Sequence, residues 1–72
     1  MNKLERIIAV VSAGVGVGNI TASTRIEDVT ADSLEWVQLM IELRDECGDF
    51  SDEAMSKIVT VGDILKAIEG TL

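Results

Sequence analysis

Residues 30–46 read TADSLEWVQLMIELRDE, and this stretch decides the fold. Its apolar residues recur at helical spacing. At about 100° per residue, Trp36, Leu39, Met40, Leu43 and Cys47 fall on one face. Glu35, Gln38, Glu42, Asp45 and Glu46 form a polar stripe. Leu34, Val37 and Ile41 make a second apolar strip beside that stripe. The apolar arc is wider than one core contact requires. Either the helix is buried on two sides, or Leu34, Val37 and Ile41 are an exposed docking ridge next to acidic residues. Asp32 reads as the N-cap, with Glu35 three residues on as in a capping box, and Gly48 reads as the stop.

The same reading extends outward. Residues 2–13 read as a helix capped by Asn2, with Leu4, Ile7, Ile8, Val11 and Val15 on one side and Gly14, Gly16 and Gly18 ending it. Residues 16–31 read as a long loop pinned to the core by Ile20, Ile26 and Val29. Such a loop in a small domain is often functional. Ser51 caps a short turn in DEAMSK. Thr60 and Asp63 bracket the start of a last helix with the stripe Val61, Ile64, Leu65 and Ile68, stopped by Gly70. No strand-like alternation persists and proline is absent. The expected fold is all-α: a small four-helix bundle, three main helices plus one short one, with a long loop between helices 1 and 2.

Composition narrows the function. The chain has 72 residues and reads as a single domain over 1–72, with a core of marginal size. Its one cysteine, Cys47, cannot form an internal disulfide, and without histidine a zinc cluster has no ligand set. A reducing, cytoplasmic setting fits, and Cys47 reads as a small core residue. The run IIAVVSAGVGVG faintly imitates a signal segment but is too short to span a bilayer, so neither secretion nor membrane insertion is expected. Net charge is −7, and from Asp32 to Glu53 eight carboxylates face one base, Arg44. That surface disfavours nucleic acid and favours partners with basic patches. A monomer is expected.

Intrinsic catalysis finds little support. GVGVG follows a helix and lacks a Lys-Ser/Thr, so it is not a phosphate loop. A serine nucleophile needs a base, yet the chain has no histidine and no lysine near Ser33 in sequence. The acids read as a solvated stripe, and no EF-hand register exists. Ser33 remains as a site that another enzyme modifies. At a helix start it meets backbone N–H groups and a favourable dipole. The neighbouring acids oppose a doubly charged phosphate more than a phosphodiester. The local physics tolerates a phosphodiester there without demanding it.

ADSLEWVQLMIELRDECG resembles the phosphopantetheine attachment segment of acyl carrier proteins. ITASTRIEDV is similar to the loop before that motif, and FSDEAMSKIVTVGDILKAI to the segment after it. The resemblance covers about residues 4–69. It implies a non-enzymatic carrier with 4′-phosphopantetheine, taken from coenzyme A by a phosphopantetheinyl transferase, on Ser33, with Asp32 and Leu34 completing the motif. Acyl groups would ride as thioesters and be presented to transferases, synthases or ligases of fatty acid, lipid or polyketide-type biosynthesis. Leu34, Glu35, Val37, Gln38, Ile41, Glu42 and Asp45 would form the docking face. Trp36, Leu43 and Ile58 would line the acyl cavity. Trp36 stands where a small residue is frequent, Thr30 where glycine is frequent, and Gln38 and Arg44 where acids are usual. These departures point to a specialised rather than a housekeeping carrier. An aminoacyl or peptidyl carrier is the alternative, and an unmodified interaction module a further one.

Overall fold

The computed structural model describes residues 2–16, 18–30 and 32–72. Val17 and Ala31, both in the stretch read as loop, and Met1 lie outside them. Among the described residues five helices follow in order: α1 Lys3–Val15, α2 Ile26–Val29, α3 Ser33–Glu46, α4 Asp52–Met55 and α5 Val61–Glu69. The all-α expectation holds, with three helices of bundle length. α1 packs on both α3 and α5, and α4 sits against α5.

Every helix but α2 starts where a side chain takes over an orphan backbone donor. Asn2 accepts from the Glu5 N–H at 2.8 Å, and Ser51 from that of Ala54 at 3.1 Å. At α5 the capping box is complete: the Thr60 hydroxyl accepts from the Asp63 N–H, and the Asp63 carboxylate accepts from the Thr60 N–H. At Asp32 the expected box does not form. Asp32 Oδ1 accepts from the Leu34 N–H at 2.9 Å. Its own N–H donates to Thr30 Oγ1 at 3.3 Å, in place of Glu35. The nearby Thr30 hydroxyl has claimed the donor that the box would use.

Three boundaries differ from the sequence reading. α1 runs through Gly14 to Val15 and closes at Gly16, whose N–H donates to the Ser12 carbonyl at 2.8 Å. Gly14 is tolerated inside the helix because α1 and α3 approach closely there; a Cβ on it would lie 3.1 Å from Leu39 Cδ1. α3 ends at Glu46 with Cys47 in the cap position, one residue before Gly48. The loop expected over 16–31 contains α2, a single turn whose Ile26 is buried. One turn is too short to declare a helical period, which is why it read as loop.

The core joins Ile7 and Val11 of α1, Leu39, Met40 and Leu43 of α3, and Val61, Ile64 and Ala67 of α5. Ile20, Ile26 and Phe50 close it from the connecting segments, so the long connection is pinned at Ile20 and Ile26 as expected, with Val29 half-buried. Ile7, Val11, Leu43, Val61 and Ile64 are fully buried. Each contributes about 1.5–3 kcal/mol of hydrophobic stabilisation.

The connection before α3 is stitched to the start of α5. Ile26 N–H donates to the Val59 carbonyl at 2.8 Å, Val61 N–H to Thr24 at 2.9 Å and Gly62 N–H to Ala22 at 2.9 Å. Arg25 and Thr60 form an isolated antiparallel bridge at the centre. Asp63 braces the same place, accepting from the N–H groups of Val59 at 3.0 Å and Thr60 at 3.1 Å. Those backbone donors hold its carboxyl below the usual aspartate range. A depressed folded pKa gives stability that is complete above the ordinary aspartate value. It is lost as pH falls through that value toward the folded one. Asp63→Ala is therefore expected to cost about 1 kcal/mol at neutral pH. Urea unfolding at pH 7 and at pH 3 checks this: the gap between variant and parent should narrow at the acid end.

Candidate functional site

Ser33 is the first residue of α3 and is exposed. The capping bond is made by Asp32, so the Ser33 hydroxyl is not needed to start the helix. Asp32 itself is exposed, and Leu34, next in the chain, is 65% exposed. These three residues form a protruding corner that a second protein can reach.

The corner opens onto a cleft of about 520 Å³ between α2, the start of α3 and the segment from Met55 to Val59. Ser33, Asp32 and Thr30 line it. Ile26, Trp36, Met55, Ile58 and Val59 supply apolar wall, and Arg25, Glu27 and Ser56 supply polar edges. The volume falls within the range, about 300–1,000 Å³, in which pockets enclose small ligands.

Two of the three expected cavity residues, Trp36 and Ile58, line this cleft together with Ser33. Leu43 does not. It is 0% exposed and lies in the core among α1, α3 and α5. It shares the Trp36 side of the helical wheel, but seven residues past Trp36 it sits about 10 Å further along the axis. Sequence reasoning missed Arg25, Glu27, Met55, Ser56 and Val59 as cleft residues. The signal for Arg25 was present in the apolar anchor Ile26 beside it, but its destination depends on the bridge to Thr60.

The expected docking residues do share an exposed face of α3. Leu34, Val37 and Ile41 are large, apolar and open to solvent, Ile41 at 63%. Gln38, Glu42 and Asp45 are exposed and Glu35 is half-buried. Burial of the helix on two sides is thereby ruled out for this strip. Where α3 meets Gly14, Glu35, Gln38 and Glu42 edge a shallow groove of about 50 Å³.

Arg44 belongs to a different neighbourhood. Its Nη2 pairs with Asp52 Oδ1 at 2.9 Å and approaches Met55 Sδ at 3.9 Å. The guanidinium carbon lies 4.8 Å from the centre of the Phe50 ring. Nε is buried without a hydrogen-bond partner, 3.8 Å from Asp49 Oδ1, within ion-pair range only. Arg44 thus fastens the loop before α4 to α3, and its charge is used there. Cys47 is half-buried, and burial raises its thiol pKa against a smaller opposing effect from Arg6. The thiol stays protonated at neutral pH, which suits packing rather than reactivity.

Among the described residues no helix is long and apolar enough to cross a membrane, and no group of three or more His, Cys, Asp or Glu is placed to hold a metal ion. Comparison with known families gives one match over nearly the whole chain. The family model described as the phosphopantetheine attachment site matches residues 3–68.

Proposed function

Because the chain belongs to the phosphopantetheine attachment site family, whose domain carries covalent 4′-phosphopantetheine, we propose that Ser33 bears this group and that the protein is an acyl carrier. The observation that carries the reading is the exposed serine at the head of α3, freed from capping by Asp32 and opening onto the cleft. The residues present fit the group. The hydroxyl is accessible to a transferase, and the cleft beside it has both polar edges and apolar wall. The arm supplies a terminal thiol that holds cargo as a thioester.

The chain has no histidine, so activation of Ser33 falls to the transferase. A base of that enzyme takes the hydroxyl proton. The serine oxygen bonds to the phosphorus of the phosphopantetheinyl group of coenzyme A, and the bond to the departing 3′,5′-ADP breaks. The exposed strip Leu34, Val37 and Ile41, beside Glu35, Glu42 and Asp45 with Gln38 among them, supports docking to partner enzymes with basic, apolar-lined sites. Carrier action in the cytoplasm, as a monomer, is part of the same reading.

Trp36 and Ile58 in the cleft support a cargo that is short or derived from an amino acid, because the indole fills wall space that a long chain needs. The same ring supports the second reading, an aminoacyl or peptidyl carrier. Incubating the purified protein with coenzyme A and a phosphopantetheinyl transferase, followed by intact mass and fragmentation, tests the assignment. The expected result is one added phosphopantetheinyl group on the peptide containing Ser33. No added mass, or addition at another residue, would sink it.

A further inference from the structure

We propose that Arg25 is the counter-ion of the phosphodiester on Ser33 and turns the arm into the cleft rather than out to solvent. This rests on the assignment of Ser33 as the attachment point. Arg25 and Ser33 line the same cleft, and Arg25 is the one base among its lining residues. The other charged groups there are the carboxylates of Glu27 and Asp32. A phosphodiester on Ser33 adds a negative charge next to Asp32 in a chain of net charge −7. A nearby cation offsets that repulsion, and a guanidinium offers a fork that matches two phosphate oxygens.

The position of Arg25 is fixed at its root. Its residue pairs with Thr60 in the isolated bridge, and the neighbouring Thr24 and Ile26 are hydrogen-bonded to Val61 and Val59. These bonds use backbone groups alone, so the side chain is free of any structural duty in the bridge. Its present partner is Glu27 Oε1, 2.9 Å from Nη2, with both side chains more than half exposed. A pair this exposed is weak and exchanges partners readily. Trp36, Met55 and Ile58 line the same cleft, so an arm held at its phosphate by Arg25 lies over apolar surface.

Phosphorus NMR of the loaded protein tests the contact. In Arg25→Gln the phosphodiester resonance is expected to shift and to narrow as the arm gains freedom. Arg25→Lys should retain most of the wild-type shift. Glu27→Gln removes the competing carboxylate without touching Arg25, and should move the resonance in the opposite sense. Added sodium chloride should draw the wild-type resonance toward that of Arg25→Gln while leaving the variant in place. Intact mass establishes loading in every sample, and circular dichroism establishes folding. A resonance of unchanged position and width in both Arg25→Gln and Glu27→Gln, each carrying the arm, overturns the proposal. An absent arm on the wild type overturns the Ser33 assignment instead, so the two failures are distinct.

Discussion

Ser33→Ala is expected to end loading altogether and to leave the fold intact. The residues on either side of it, Asp32 and Leu34, carry no hydroxyl, and the Thr30 hydroxyl is engaged with the Asp32 backbone. The N-cap bond comes from Asp32 Oδ1, so removing the serine oxygen deletes no capping interaction. An exposed first-turn substitution of this kind shifts stability by about 0.5 kcal/mol or less. Urea unfolding of the two proteins should therefore superimpose. Intact mass after incubation with transferase and coenzyme A should show the added group on the parent and none on the variant. A modified Ser33→Ala would place the attachment elsewhere. An unmodified docking module, by contrast, would keep full activity in the variant.

The largest stability effect is expected at Gly48. Its φ is +142°, and a Cβ there would lie 2.7 Å from Ile68 Cγ2. Two separate costs coincide. A non-glycine residue in this backbone region costs on the order of 1–3 kcal/mol, and forcing a methyl against a packed side chain adds roughly 1–3 kcal/mol. Gly48→Val should thus destabilise by about 4 kcal/mol. A chain of this length holds roughly 4–11 kcal/mol in total, and the melting temperature should fall by at least about 15 °C. Gly70→Ala is the control. Gly70 also has a positive φ, +76°, but nothing lies within 4 Å of a Cβ there. It should lose only the backbone part, about 1 kcal/mol. Equal melting points for the two variants would show that Ile68 gives way freely.

The elements that sequence revealed are those defined by local physics. Asn2, Asp32 and Ser51 each cap the helix they were read to cap, and Thr60 and Asp63 bracket the start of α5 as read, because capping depends on residues within one turn. The faces of α3 emerged from angle alone. Depth along the axis did not: Leu43, which the resemblance set with Trp36 around the cargo, shares its face of the helix but lies fully buried in the core. The single turn α2 was hidden for want of a period. The position of Arg44 was hidden because its partners Phe50, Asp52 and Met55 come together only when the chain folds back on α3. Counted along the sequence, Arg44 dilutes the acidic stripe. In space its charge is spent on Asp52, and Glu42 and Asp45 keep theirs. Likewise the cleft joins residues from three separated segments, so Ser33 could be singled out from its motif while most of its surroundings could not.

The stitching of residues 22–26 to residues 59–62 gives the cleft one fixed jaw. The opposite jaw is built differently. α4 is four residues long, has no fully buried residue, and is held to α3 through the Arg44 pair. Helices with so little buried surface open locally at low free-energy cost, while backbone hydrogen bonds close to the core open only rarely. Amide hydrogens of Ile26, Val61 and Gly62 should therefore exchange far more slowly than those of Met55 and Ser56. The cleft is thus expected to behave as a vice, with the α4 side as the jaw that yields first and the stitched side as the one that stays.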